Sequence, residues 1–195
     1  MKTKKRPAVF LDRDGTLIPD IGYLSDPKHL KLYRGTAEAL RLLRQAGFYL
    51  FVVTNQSGVA RGYFPENTVK AVHKRLQQML KAKGAPIDAF FYCPHYREGK
   101  IKRYVKVCDC RKPKPGMVKQ ALKKYPVDLK KSFVVGDKID DLQLARNAKA
   151  GWGILVRTGN GRKSEKKLKA KPLAKSVVVS DVLRAARLIL GEKQK

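Results

Sequence analysis

Two aspartates separated by one residue close an apolar run near the start of this 195-residue chain: Val9 to Leu17 reads VFLDRDGTL, with Asp12 and Asp14 followed at once by Gly15 and Thr16. On an extended backbone, residues two apart face the same side, so both carboxylates can serve one centre. Such a pair can hold Mg²⁺ and divide labour, one carboxylate attacking phosphorus while the other moves protons. Gly15 lets the backbone turn away steeply. Taken alone, a D-x-D pair serves equally well as an acidic turn after a strand.

A second set is independent of the first. Cys93-Pro94-His95 and Cys108-Asp109-Cys110 supply four soft or borderline ligands in two pairs, across a loop rich in Lys, Arg and Tyr. Four such ligands form a closed tetrahedral zinc site, structural rather than catalytic, because no position remains for water. Zinc there would tie down a loop with little apolar content and present the adjacent Arg111 and Lys112. The competing reading is free thiols beside a solvent histidine. These are the only cysteines, odd in number and confined to one segment, which argues against a disulfide framework.

The elements that must position these residues alternate short apolar strands with amphipathic helices, the pattern of a doubly wound α/β fold with a parallel sheet covered on both faces. Strands are predicted at Ala8 to Leu11, Tyr49 to Val53, Ala89 to Tyr92, Ser132 to Val135, Gly153 to Val156 and Ser176 to Val179. Helices are predicted from Thr36 to Ala46, closed by Gly47, from Pro65 to about Lys83, from Asp140 to Ala148, and from near Ser180 and Asp181. Asn160 to Lys175, polar and Lys-rich, reads as a mobile loop. His73, beside the apolar stripe of the long helix, reads as a surface or boundary residue, and His29 as a loop residue. The polar motifs all follow predicted strands, so a parallel sheet brings them to one edge, where ligands of open α/β sheets bind.

At this length one domain is expected over residues 1–195, with a basic tail at 1–7, the zinc loop at 93–110 and a C-terminal tail at 191–195. No stretch approaches the ~20 apolar residues that span a bilayer, and the basic start lacks the form of a signal peptide; a soluble, cytoplasmic protein is expected. Charge is the unusual quantity: 44 Lys and Arg against 16 Asp and Glu give +28. Such a field attracts nucleic acid, anionic membranes or phosphorylated small molecules, although scattered basic residues also describe an ordinary solvated surface.

VFLDRDGTL, VVTNQSG, CRKPKPGM and VVGDKIDD, in this order, resemble the haloacid dehalogenase-like phosphohydrolases, and within them the D-glycero-D-manno-heptose 1,7-bisphosphate phosphatases, whose close relatives are histidinol-phosphate phosphatases. The resemblance covers about Ala8 to Thr158. It implies a fold without a large cap domain, and an Mg²⁺-dependent phosphatase with Asp12 as nucleophile and Asp14 as the acid that protonates the leaving oxygen and then activates water. Asp12, the backbone carbonyl of Asp14 and Asp137 would hold Mg²⁺. Thr54 would donate to the phosphoryl oxygens and Lys112 would bind the transferring group. Substrate contacts are expected from Asn55, Gln56, Ser57, Arg111, Lys138 and the short loop containing Asp20, Gly22 and Tyr23. Arg61 suits a second phosphate because its fork matches phosphate geometry, with a solvent role as the alternative. Asp141 would orient the metal's waters, and Asp140 reads as a helix N-terminal acid. The family's heptose enzymes carry the same Cys-His and Cys-Cys pairs.

The activity so implied is removal of the C7 phosphate, supplying activated heptose for lipopolysaccharide and other cell-surface glycans, by a monomer that meets nucleic acid only non-specifically. Histidinol phosphate is the alternative small substrate. A polynucleotide 3′-phosphatase, or a nucleic-acid-binding module, suits the +28 charge but leaves the zinc ligands unexplained.

Overall fold

The computed structural model describes residues 4–192; the ends of both expected tails, 1–3 and 193–195, lie outside the described residues. In chain order the elements are β1 (Ala8–Leu11), α1 (Thr36–Gln45), β2 (Tyr49–Asn55), α2 (Gly58–Arg61), α3 (Glu66–Lys81), β3 (Ala89–Cys93), α4 (Gly116–Lys124), β4 (Phe133–Gly136), α5 (Ile139–Ala148), β5 (Trp152–Val156), α6 (Gly161–Ala170), β6 (Ser176–Val179) and α7 (Val182–Ile189). The strands form one parallel sheet in the order β3-β2-β1-β4-β5-β6.

β1 lies inside this sheet, and all four of its residues are fully buried. Val9 and Leu11 join Leu50, Val52, Val135 and Ile154 beneath α1, α3 and α7. The alternate residues Ala8 and Phe10 join Phe51, Val53 and Val134 on the opposite face, beneath Met117, Val118 and Ala121 of α4 and Leu144 of α5. A sheet apolar on both faces explains why these strands read as continuous hydrophobic runs.

Register aligns the strand ends. Leu11 pairs with both Val52 and Val135, and Asn55 pairs with Cys93. Asp12 donates its backbone N–H to Val135 O at 2.8 Å, so the first aspartate stands just past the sheet. β2 runs two residues beyond the expected end, which puts Thr54 and Asn55 on the strand itself. β3 likewise reaches Cys93.

The structure corrects two expectations. The segment expected as a mobile loop contains helix α6: Leu168 packs with Leu142 and Leu155, and Ser164 is buried one turn earlier. One apolar side chain in a run of lysines anchors that helix, too faint a stripe to stand out in the sequence. His73 is buried rather than superficial, stacked at 4.8 Å on Phe90 and edge-on to Tyr92. The buried face of α3 is simply wider than its aliphatic stripe. Arg6, within the expected basic tail, pairs with Val127, donates from Nε to Gly47 O at 3.0 Å and lies 4.2 Å over the Tyr49 ring. Among the described residues, no helix is long and apolar enough to cross a membrane.

Burial, and secondarily the charge of Arg13, holds the His73 imidazole down at about 3, well below its ordinary 6.5. Between those values the unfolded chain binds a proton that the folded protein does not, so stability falls as pH falls below 6.5. Relative to His73→Leu, the wild type is expected to lose about 1.4 kcal/mol per pH unit below that point. Urea unfolding of both proteins at pH 7 and pH 5.5 checks this, and parallel pH dependence refutes it.

Candidate active site

Lys112 occupies the centre of the strand-end cleft. Its ammonium donates to Asp12 Oδ1 at 2.7 Å, to Asp141 Oδ1 at 2.6 Å and to Val53 O at 3.0 Å, and the residue is only 5% exposed. Burial alone would strip the ammonium of its proton, but the two carboxylates outweigh it and raise its pKa. Asp141 also accepts from the Lys138 backbone N–H at the start of α5. It is thus spent on Lys112 and the helix terminus. Asp140 stands in the first turn of α5, half-buried, on the wall of the cleft.

Asp12, Asp137 and Asp141 bring one carboxylate oxygen each within 4.8 Å of one another, all three buried. Burial and the neighbouring Asp12 push the Asp137 carboxyl up to about 7, and burial raises Asp12 as well despite Lys112. Asp137 Oδ2 accepts from the Asn160 backbone at 2.7 Å, whereas its buried Oδ1 has no partner among the described residues. An orphaned carboxylate oxygen among crowded hard donors fits a divalent cation. Gly15 closes this corner at φ +85°, where a Cβ would collide with the Asp137 carboxylate.

The Asp14 carboxylate turns elsewhere. Arg13, 1% exposed, donates to it from Nε and Nη2 at 3.1–3.2 Å, and Gln56 Nε2 donates at 2.8 Å. Gln56 also bonds Arg13 Nη2 and Thr54 Oγ1, and Thr54 Oγ1 lies 3.5 Å from Asp14 Oδ2. Asp14 is therefore held at the cleft, part-exposed, outside the three-carboxylate cluster.

Most of the residues expected to meet substrate come together. Asn55 donates to Lys112 O and accepts from Lys112 N–H, pinning that loop's backbone, and Gln56 bonds into the Asp14 network. Both also line, with Ser57, Asp20, Gly22 and Tyr23, an open cavity of about 250 Å³ beside Asp14. Lys138 shares that cavity and pairs with Asp20 at 3.3 Å.

The four candidate zinc ligands also converge. Cys110 Sγ lies 3.0 Å from Cys93, 3.2 Å from Cys108 and 3.3 Å from His95 Nδ1, and Cys93 Sγ lies 3.4 Å from Cys108. Hydrogen bonding from Cys93 holds the Cys110 thiol down at about 5, toward the thiolate that a metal requires. Arg111, next in the chain, donates to His95 O at 3.3 Å. The Arg61 and Arg111 guanidiniums lie 4.0 and 5.1 Å from the Tyr96 ring, and Arg61 Nε is buried without a partner among the described residues.

Three contributors had escaped the sequence. Arg13 reads as a spacer between two aspartates and Asn160 as loop, and Thr158, whose hydroxyl donates to Gly15 O at 2.6 Å, lies past the predicted strand with no role assigned. Only the buried setting of the D-R-D arginine offers a signal, since a charged residue inside an apolar run needs a partner.

A family model described as HAD-hydrolase-like, for the haloacid dehalogenase superfamily, matches residues 109–185. The chain is 42% identical to the D-glycero-beta-D-manno-heptose-1,7-bisphosphate 7-phosphatase of Pasteurella multocida, over 88% of this chain and 93% of the relative. It is 45% identical to the enzyme of the same name from Haemophilus influenzae, over 78% and 82%. A crystal structure of the D,D-heptose 1,7-bisphosphate phosphatase of B. bronchiseptica, complexed with magnesium and phosphate, superposes with a TM-score of 0.84 at 34% identity, covering 96% of this chain and 99% of that one. On these identities and coverages the chain belongs to the haloacid dehalogenase-like hydrolases, in the family of the heptose-1,7-bisphosphate 7-phosphatases.

Proposed function

We propose that the protein is a cytoplasmic phosphatase that removes the C7 phosphate of D-glycero-D-manno-heptose 1,7-bisphosphate through an aspartyl-phosphate, with Mg²⁺ at the carboxylate cluster and structural zinc at the Cys-His loop. The observation that carries it is the Lys112 ammonium held between two buried carboxylates within 2.7 Å, a cation fixed where a dianionic phosphoryl group would meet Asp12. The names of the relatives support the choice of substrate.

In this reading an Asp12 carboxylate oxygen forms a bond to phosphorus as the bond from phosphorus to the C7 oxygen breaks. The proton on Asp14 goes to that departing oxygen. Asp14, now a carboxylate, then takes a proton from water, whose oxygen attacks phosphorus and breaks the Asp12–phosphate bond, releasing inorganic phosphate and restoring the Asp12 carboxylate and the protonated Asp14. Arg13 and Gln56 keep Asp14 aimed through both transfers. Asp12, Asp137 and the Asp14 carbonyl would hold Mg²⁺, which would supply charge neutralisation for phosphate and nucleophile. Thr54 and Lys112 would hold the transferring group, while Lys138, Arg61 and Arg111 supply positive charge for the rest of the substrate.

Asp12→Asn is expected to fold normally and to lose turnover by roughly 10⁴-fold or more; substantial residual activity rejects it as the nucleophile. With Mg²⁺, kcat/KM for the heptose bisphosphate should exceed that for histidinol phosphate and for 3′-phosphorylated DNA, and a reversed order overturns the substrate assignment. Metal analysis of the purified protein should find about one zinc per chain, lost together with thermal stability in Cys108→Ser. An equally stable, zinc-free wild type would refute the structural site.

A further inference from the structure

At the other end of the sheet, where β4, β5 and β6 begin, lies a second cavity of about 520 Å³, roomier than the cavity of about 250 Å³ beside Asp14. Its size falls in the range of small-molecule sites. Leu142 and Ala145 of α5 form an apolar floor, and Trp152, 47% exposed, stands at its edge. A half-exposed tryptophan at a cavity mouth offers a planar stacking surface that the core does not use.

Four cations surround it: Lys130, Arg146, Lys149 and Lys175, all exposed and, among the described residues, none of them in an ion pair. The chain holds several acidic residues that neutralise lysines elsewhere, but no carboxylate lines this cavity. The C-terminus of α5, whose carbonyls would oppose an anion, is closed off: Lys149 N–H and Ala150 N–H donate to Arg146 O and Ala145 O. Lys149 and Lys175 are the two non-glycine residues at positive φ among the described residues, 60° and 54°. Both of these unfavourable backbone positions thus carry a cation to the same rim.

We propose that this cavity binds a free nucleoside polyphosphate, its base stacked on Trp152 above the apolar floor and its phosphates among Lys130, Arg146, Lys149 and Lys175. Neither half suffices without the other: a bare anion leaves the ring and floor uncovered, and an uncharged ring leaves the cations unanswered. The site stands apart from the phosphatase centre, at the opposite edge of the sheet, and does not rest on the substrate assigned there.

Trp152 is the only tryptophan in the chain, so intrinsic fluorescence reads this cavity alone. Titration of the full-length protein with ATP, excited at the red edge of tryptophan absorption, is expected to give saturable quenching at millimolar concentration or below. Adenosine and inorganic tripolyphosphate should each be at least ~10-fold weaker. The Arg146→Glu/Lys149→Glu double variant should weaken ATP binding ~10-fold or more, measured by calorimetry as well. The charge-matched Lys74→Glu/Lys81→Glu variant on the outer face of α3 should not. Absence of quenching, equal quenching by tripolyphosphate, equal loss in the α3 variant, or quenching by a single-stranded oligonucleotide but not by ATP would each overturn the proposal.

Discussion

The site depends on one buried ammonium. Asp12, Asp137 and Asp141 are three carboxylates crowded into a space that water barely reaches, an arrangement that repels itself and costs several kcal/mol of desolvation per charge. Lys112 makes it tolerable by bonding two of them at once, and the third carries an oxygen that no group among the described residues satisfies. The cleft therefore has one fixed positive charge built into the chain and an unmet demand for a second. That imbalance, rather than the number of acids, is what a small hard cation would answer.

A lysine placed so tightly must be delivered by a rigid backbone, and the surrounding sequence serves this end. Asn55 grips the Lys112 peptide from both sides at 3.0 and 3.2 Å, Pro113 follows directly, and two residues earlier stands Cys110, a member of the four-ligand cluster. The cluster thus stands two residues from Lys112, beside the segment that carries this lysine into the cleft, while Arg111 between them turns to His95 O and the Tyr96 ring. On the other flank Asn160 holds Asp137 by hydrogen bonds and Gly15 leaves room for its carboxylate, while Thr158 fixes Gly15 through its carbonyl.

Much of this was legible in the sequence. Asp12, Asp14 and Asp137 follow apolar strands, and strand ends of a parallel sheet must share an edge; Lys112, far along the loop after β3, was legible only through the resemblance of CRKPKPGM, and the spacing of Cys93, His95, Cys108 and Cys110 pointed to a metal with free thiols as the alternative. What could not be read depends on contacts between distant segments. Arg13 is invisible as a partner of Asp14 until Gln56 closes the network from the neighbouring strand. The amides of Asn55 and Gln56 look equally free in sequence, yet Asn55 is bound to the Lys112 peptide and Gln56 to Arg13, Asp14 and Thr54. His73 lies one residue from a predicted buried position, and only the approach of Phe90 and Tyr92 decides its burial. In α6, lysines on the solvent face mask a single anchoring leucine.

The parallel order of the sheet bears on when this centre can exist. Lys112 and Asp12 are 100 residues apart, and the Ala8 N–H bonds Ser132 Oγ across 124. β1 lies between β2 and β4, and neither neighbour pairing is available as a local hairpin. Contacts of such separation close late, because the chain entropy of long loops is lost before they return anything. No fragment ending before β4 can hold Asp12, Lys112 and Asp137 together, so the carboxylates pass from solvated and separate to buried and neutralised only once β4 has docked beside β1, which ties the centre to long-range closure rather than to local collapse.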